Sequence, residues 1–222
     1  MKAFTTRLFK LLSFLTLEVL VVGSVFMASA LLFFYLTRIV FVQHSVAFDQ
    51  WAFGQLDTLR TAWPGLTRPV EVITFFASLP FLVVAGLGLP LLLRYLGHRR
   101  EALEILLAVA GAALLNQLMK VHFQRVRPET ALFPQSGLSF PSGHSMIGLA
   151  LYGCLAWVLW RHERHPAWAA LLLAWAILIG LTRVYLHVHY ATDVAAGFAI
   201  ALVWLILLRT ALRLWWREEV RR

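Results

Sequence analysis

The sequence has one cysteine, Cys154, and few charged residues. Charged side chains make up 14% of its 222 residues, and only 11 residues are acidic. A single cysteine cannot form an intrachain disulfide, which excludes a disulfide-stapled scaffold. A soluble domain has about 25% charged residues, and a disordered chain has low hydrophobicity, so both of these classes are excluded as well.

Apolar residues are abundant instead. They make up 60% of the chain, and the mean hydropathy is +0.75. One globule of this size cannot bury so much apolar surface. We therefore predict an all-α, polytopic membrane protein, a single domain over residues 1–222 built as a bundle of six transmembrane helices. Six mostly apolar segments have about the 20 residues needed to span a membrane. They lie near 15–37, 70–93, 101–119, 144–160, 167–185 and 194–212.

The first of these segments has some features of a signal peptide. Its start is basic, and Ala28-Ser29-Ala30 is similar to a cleavage site. The apolar run continues past that site through Leu31 to Phe34, so we predict that the segment is retained as an anchor.

The net charge of +9 is interpreted as a topology signal and not as a nucleic-acid site, because cytoplasmic loops of membrane proteins collect Lys and Arg. With six spans, both termini share one side. That side would hold 13 basic residues against 7 on the other, which predicts cytoplasmic termini in the cell (inner) membrane. The 13 are Lys2, Arg7, Lys10, Arg94, Arg99, Arg100, Arg161, Arg164, Arg209, Arg213, Arg217, Arg221 and Arg222, and the 7 are Arg38, Arg60, Arg68, Lys120, Arg125, Arg127 and Arg183.

Two long loops lie on the predicted outer side. Apolar residues at helical spacing in residues 42–68 predict an amphipathic helix at the membrane interface, with Trp and Phe as anchors; simple packing against the bundle is an equal alternative. The second loop, residues 120–142, contains three prolines that disfavour a regular helix. The apolar positions of the first loop are Phe48, Trp51, Ala52, Phe53, Leu56 and Leu59, with Asp49, Gln50, Gln55 and Asp57 between them.

Three short polar segments lie at the ends of predicted spans on this same side. They are Lys120 with Arg127-Pro128, then Pro141-Ser142-Gly143-His144, and finally Arg183 with His189 and Asp193. Three cations close together are costly unless an anion binds, and Arg and Lys suit phosphate oxygens. Each cation alone could instead reach lipid headgroups.

The second segment has the features of a helix start. Ser142 is a suitable N-cap, Gly143 allows close approach to the backbone, and free N–H groups at a helix N-terminus bind phosphate. A capping role alone for Ser142 is compatible with this interpretation. A bound phosphate would favour the protonated form of His144, which could then act as an acid.

His189 and Asp193 are four residues apart, so a helix would place them on one face. A carboxylate on one ring nitrogen makes the other nitrogen a better nucleophile. Two alternatives stay open: Thr192 or Asp193 could only cap the last span, with His189 an interfacial residue, and His187 with His189 could hold a metal. His187, Arg125 and His122 are predicted to be structural or peripheral.

Together these residues resemble the type-2 phosphatidic acid phosphatase family. Its three motifs are Lys, six residues, Arg-Pro; Pro-Ser-Gly-His; and Ser-Arg, five residues, His, three residues, Asp. This chain departs at one position, where Thr182 replaces the leading serine of the third motif but keeps a hydroxyl. The motifs cover residues 120–193, within a core of about 101–212, and the six-span layout extends the resemblance to nearly the whole chain.

The resemblance implies a metal-independent phosphatase without a cofactor. In such an enzyme His189 would attack phosphorus to form a phosphohistidine, Asp193 would orient it, and His144 would protonate the leaving oxygen. Phosphate binding is implied for Lys120, Arg127, Ser142, Gly143 and Arg183.

A lipid phosphate in the bilayer is the expected substrate, met on the extracytoplasmic face. Small bacterial members of the family act on undecaprenyl diphosphate, phosphatidylglycerophosphate or phosphatidate, and the sequence does not choose among them. Two alternatives are a transferase that passes the phosphoryl group to another lipid, and a non-catalytic lipid-binding or transport protein on the same fold.

Overall fold

The computed structural model describes the backbone of residues 2–163 and 166–221, and side chains within 17–162 and 166–216. The all-α prediction is confirmed, since every regular element in these ranges is helical. The elements are α1 (Lys2–Phe41), α2 (Ala47–Ala62), a 3-10 turn (Pro64–Leu66), α3 (Thr67–Phe75), α4 (Leu79–Tyr95), α5 (Arg99–Phe123), α6 (Gly143–Glu163), α7 (Pro166–Tyr185) and α8 (Ala191–Arg221).

Six stretches of the described residues are long and apolar enough to cross a membrane, as predicted. They are Leu17–Phe41, Pro64–Tyr95, Arg99–Phe123, Gly143–His162, Pro166–Tyr185 and Ala191–Trp216. The second differs from a single span, because it is divided between α3 and α4. The division lies at Ser78, whose Oγ accepts a hydrogen bond from the backbone N–H of Phe81 and so begins a new helix.

Helix α6 lies at the centre of the bundle, packed against α5, α7 and α8, while α1 packs against α8 and α4 against α5. Small buried side chains such as Ala108, Ala112 and Ala150 allow these helices to approach closely. Large apolar side chains including Phe34, Leu79 and Val84 cover the outside of the bundle. Such a surface would aggregate in water but suits the hydrocarbon core of a membrane.

Helix α2 forms within the loop where the amphipathic pattern predicted it. Phe48 and Trp51 are exposed, while Leu56 packs in a cluster with Tyr185 at the end of α7. Asp49, expected on the polar face, is instead only 1% exposed. The helix therefore packs one side against α7 and α8, and its position at a membrane interface stays a prediction.

The two ends of the bundle carry different polar groups. At one end, Arg161 pairs with Glu101 at 2.8 Å and Arg213 pairs with Glu18 at 2.8 Å. The three motif segments lie at the other end. Arg164 and Arg222, which the topology prediction places on the cytoplasmic side, lie outside the described residues, and the orientation of the bundle stays a prediction.

Candidate active site

The three motif segments meet at one end of the bundle. The C-terminal ends of α5 and α7, the N-terminal ends of α6 and α8, and the irregular loop 124–142 contribute to this site. The backbone N–H of Ser142 donates to the carbonyl of Asp193 at 3.0 Å, which joins the starts of α6 and α8. Asn116, on α5, donates to the carbonyl of Pro141 at 3.1 Å and ties the same turn to a third helix.

His189 is buried beside a carboxylate. Its Nδ1 lies 3.3 Å from Oδ2 of Asp193, and both side chains are at most 2% exposed. Ser139 Oγ donates to the same carboxylate oxygen, and the backbone N–H of Tyr190 donates to it at 3.0 Å. The acceptor Oδ2 favours the tautomer with the proton on Nδ1, which leaves the lone pair on Nε2.

Burial determines the charge of this histidine. Because desolvation disfavours the imidazolium, it lowers the pKa of His189 to about 4, although the hydrogen bond and charge of Asp193 act in the opposite direction. His189 is therefore neutral near pH 7, as a nucleophile must be.

The three predicted anion-binding cations contact neutral oxygen atoms. Lys120 Nζ donates to the carbonyl of Leu138 at 2.8 Å. Arg127 Nη1 donates to the carbonyl of Val188 at 2.6 Å and lies 3.1 Å from Nε2 of His189.

Arg183 completes this set. Its Nη1 donates to Thr74 Oγ1 at 2.7 Å, and its buried Nε has no partner in the described part of the chain. Within the described ranges no carboxylate lies within 4.0 Å of the charged nitrogens of Lys120, Arg127 or Arg183. Their positive charge is therefore available to an anion.

The Pro-Ser-Gly-His segment forms a turn and a helix start, as predicted. The hydroxyl of Ser142 accepts from the N–H of Ser145 at 3.5 Å, and Ser142 is fully buried. A Cβ on Gly143 would lie 3.2 Å from Oδ1 of Asn116, so a larger residue would crowd this turn. The hydroxyl and the backbone N–H of Ser142 both have protein partners. Phosphate binding by Ser142 and Gly143 stays a prediction.

His144 is the second residue of α6 and is half-buried. The charges of Arg183, Arg127 and Lys120 all act on its imidazole, as does that of protonated His189. This placement sets the two histidines in one cluster of cations.

Arg125 was expected to be structural or peripheral, and its position is not peripheral. Its Nη1 lies 2.5 Å from Oδ1 of Asp193, and its side chain is only 11% exposed. The difference arises because the loop after α5 folds back over the start of α8 and does not extend into solvent. The occurrence of Arg125 inside the first motif, two residues before Arg127, was the signal available in the sequence.

Ser139 was not predicted at all, because a lone serine in a loop carries no distinguishing pattern. His187, expected to be structural or peripheral, stacks on Phe53 with 4.1 Å between ring centroids, and its Nε2 lies 3.0 Å from Oδ1 of Asp57. The two histidines contact different acids, His187 lying beside Asp57 and His189 beside Asp193.

Comparison with known proteins agrees with this architecture. The chain is 35% identical over 156 residues to phosphatidylglycerophosphatase B of Bacillus subtilis, covering 66% of this chain and 75% of that protein. It is 34% identical over 111 residues to a lipid A 1-phosphatase of Rhizobium johnstonii, covering 45% of this chain and 43% of the relative.

The crystal structure of a transmembrane PAP2 type phosphatidylglycerolphosphate phosphatase from Bacillus subtilis superimposes with a TM-score of 0.72 and 30% identity, covering 83% of this chain and 94% of that one. The PAP2 superfamily model matches residues 101–217, which include all three motifs. The resemblance drawn from the motifs is thereby confirmed, and the chain belongs to the PAP2 superfamily.

Proposed function

We propose that the protein is an integral membrane phosphatase that removes phosphate from a lipid phosphate monoester or diphosphate through a phosphohistidine. The observation that carries this proposal is the environment of His189. Its Nδ1 faces Asp193, and its Nε2 faces Arg127, a cation without a carboxylate partner in the described residues. A phosphate held by Arg127 would therefore lie next to the nitrogen lone pair.

In the first step, Nε2 of His189 forms a bond to phosphorus while the bond from phosphorus to the lipid oxygen breaks. His144 donates its proton to the departing oxygen. Asp193 keeps the proton on Nδ1 and stabilises the positive charge that develops on the ring. Lys120, Arg127 and Arg183 neutralise the phosphate oxygens, which is the main requirement of phosphoryl transfer.

In the second step, neutral His144 takes a proton from water as the water oxygen attacks phosphorus. The bond between phosphorus and Nε2 breaks, inorganic phosphate leaves, and His189 is restored. Three protein cations supply the charge that Mg²⁺ supplies in other phosphoryl-transfer enzymes, so we propose that the reaction is independent of metal.

The substrate class follows from the position of the site and from the relatives. The site lies at the ends of apolar helices, where a phosphate head meets the cations while its tail stays in hydrocarbon. Two relatives are named as phosphatases of phosphatidylglycerophosphate and of lipid A, and each of these compounds is a membrane lipid that carries phosphate. Phosphatidylglycerophosphate is the first candidate, with undecaprenyl diphosphate and phosphatidate as the others. The charge count favours an extracytoplasmic site.

A substrate panel tests the proposal. Purified protein in detergent with EDTA should release inorganic phosphate from at least one of these three lipids, and His189→Ala should release none. Phosphate release by His189→Ala at the wild-type rate would disprove the mechanism. Loss of wild-type activity in EDTA, restored by a metal, would disprove metal independence.

The same assay separates the alternatives. A transferase would release no inorganic phosphate: it would dephosphorylate the donor lipid only when an acceptor lipid is added, and the phosphoryl group would be found on that acceptor. A non-catalytic binding protein would retain lipid phosphate without converting it, with or without an acceptor.

A further inference from the structure

A buried acid on helix α2 is connected to Asp193 through one arginine. Asp49 is 1% exposed, and its Oδ2 accepts from Nη2 of Arg125 at 2.8 Å. The other terminal nitrogen of the same guanidinium, Nη1, lies 2.5 Å from Oδ1 of Asp193. Arg125 therefore bridges two buried carboxylates that come from helices α2 and α8.

Asp49 also holds the first turn of α8. The backbone N–H of Thr192 donates to Asp49 Oδ1 at 2.8 Å, and the hydroxyl of Thr192 donates to Oδ2 at 2.9 Å. Free N–H groups at a helix start need such partners, and the helix dipole favours a carboxylate there. Thr192 is adjacent to Asp193. Asp49 therefore contacts Arg125 directly and also holds the backbone next to Asp193.

The packing around Arg125 holds its guanidinium in place. The plane lies over the ring of Tyr190, with 3.9 Å between Cζ and the ring centroid. Nη1 also donates to the hydroxyl of Thr192 at 2.7 Å. A planar guanidinium with contacts on its face and on both terminal nitrogens has little freedom to turn.

The two oxygens of Asp193 have separate partners. Oδ1 contacts Arg125, while Oδ2 contacts His189, Ser139 and the N–H of Tyr190. A partial rotation of the carboxylate would move Oδ2 away from Nδ1 of His189 and break that contact. The contact from Arg125 to Oδ1 opposes that rotation.

We propose that Asp49 and Arg125 are positioning residues for the phosphatase reaction: Asp49 holds the Arg125 guanidinium, which holds Asp193 in the orientation that serves His189. This inference rests on the proposed function. It gives α2 a role in the reaction, and that role is exerted from the Nδ1 side of His189, away from the Nε2 side where phosphate is proposed to bind.

Kinetics of Asp49→Asn test the proposal, with Asp57→Asn as the matched control. Asp57 is on the same helix, but its side chain is 44% exposed and contacts Arg60 and His187, neither of which contacts Asp193. Since a misplacement of about 1 Å can lower a rate about 100-fold, we expect Asp49→Asn to lower kcat roughly 10- to 100-fold per folded molecule. The KM should stay within roughly twofold of wild type, because ground-state binding is unaffected. Asp57→Asn should leave both constants near wild type.

Variants of Arg125 test the bridge itself. Arg125→Lys keeps the charge, but one ammonium cannot span both carboxylates as the guanidinium does. We expect Arg125→Lys and Arg125→Met to lose kcat to a similar extent. Because Asp49 acts through Arg125, adding Asp49→Asn to Arg125→Met should cause no further loss. Full activity in Arg125→Lys, equal kcat in Asp49→Asn and Asp57→Asn, or a loss confined to KM would each overturn the proposal.

Nitrogen-15 NMR of the His189 ring gives a readout that does not require turnover. The charges of Arg127 and Arg183 also lower the pKa of His189. Both arginines are kept in every variant, so their contribution does not change. Arg125→Lys keeps the charge but frees Asp193, whose contact raises the pKa of His189, so it should move the His189 titration midpoint to lower pH, and Asp49→Asn should move it in the same direction. Absence of any wild-type phosphate release would disprove the proposed function alone. Unchanged midpoints in both variants would overturn the positioning role, and Arg125→Lys replaces Asp49→Asn if the latter does not fold.

Discussion

The Nη1 atom of Arg127 lies 3.1 Å from Nε2 of His189, the ring nitrogen that does not face Asp193. A donor at this position occupies the lone pair from which attack on phosphorus would occur. Binding of phosphate therefore requires Arg127 to move its hydrogen bond from the imidazole to a phosphate oxygen. The same arginine would thus keep His189 oriented before binding and free its lone pair afterwards.

Removal of the Arg127 charge should impair catalysis strongly. We expect Arg127→Gln to lower kcat/KM about 100- to 1,000-fold, the range seen when one donor to a developing oxyanion is lost. Phosphate release from the best lipid of the panel measures this. Arg68→Gln removes an exposed arginine near the start of α3 and should have little effect. Equal activity of the two variants would show that Arg127 does not contact the reacting phosphate.

The acid titration of His189 should reflect its burial. Its pKa lies at about 4, below the ordinary value of 6.5, because burial disfavours the charged ring. A lowered pKa means that the neutral form persists as the pH falls and that protonation begins only near pH 4. Nitrogen-15 NMR of the protein in detergent should show this midpoint, with the signal assigned by its absence in His189→Asn. In Asp193→Asn the midpoint should fall further, since Asp193 favours the protonated ring. A wild-type midpoint at 6 or above would contradict the prediction.

Arg183 should determine affinity for the phosphoryl group. Its buried Nε has no partner in the described residues, although Nη1 contacts Thr74. An unpaired buried donor is costly, and a phosphate oxygen would satisfy it. We expect Arg183→Lys to weaken inhibition by orthovanadate about 10- to 100-fold, because lysine lacks the forked donors.

The matched control for Arg183 is Thr74→Val, which removes only the hydroxyl partner. This variant should change vanadate inhibition far less than Arg183→Lys. Equal vanadate affinity in wild type and Arg183→Lys would place Arg183 outside the phosphate site.

Gly197 should be intolerant of a side chain. A Cβ there would lie 2.8 Å from the carbonyl oxygen of Ser142 and 3.0 Å from Cβ of Ser145, so α8 would have to move away from the start of α6. Overpacking of this kind costs about 1–3 kcal/mol. We expect Gly197→Ala to lower the thermal unfolding midpoint in detergent and to lower activity, because Asp193 is on the same helix. Gly88→Ala is the control, since its Cβ would meet nothing within 4 Å. An unchanged unfolding midpoint and activity in Gly197→Ala would show that α8 and α6 accommodate the added methyl group without cost.

The fold was largely predictable because its determinants are local. Six apolar segments and the spacing of Lys120, Arg127 and His189 are properties of the chain itself, independent of how the helices pack. The break at Ser78 was less visible, since the apolar run continues across it and only the capping hydroxyl marks a new helix.

The part of the site that was missed depends on packing between distant elements. Asp49 alternates with apolar residues like any acid on an exposed helix face, and nothing local distinguishes it from Asp57. The contact between Asp49 and Thr192 joins residues 143 positions apart and exists only because α2 packs against the start of α8. Sequence pattern can place a charge on a helix face, but it cannot show which tertiary partner will bury that charge.

The orientation of the bundle can be tested with cysteine labelling, since Cys154 is the only native cysteine and is buried. In a Cys154→Ser background, Gln135→Cys lies in the exposed loop beside the site, and His98→Cys lies at the opposite end. An extracytoplasmic site predicts that a membrane-impermeant maleimide labels Gln135→Cys in right-side-out vesicles and labels His98→Cys only after detergent is added. Phosphatase activity of each variant confirms that the fold is kept. The reverse pattern would place the site in the cytoplasm, and the excess of basic residues at the other end would then need another explanation, because topology follows such an excess in short loops.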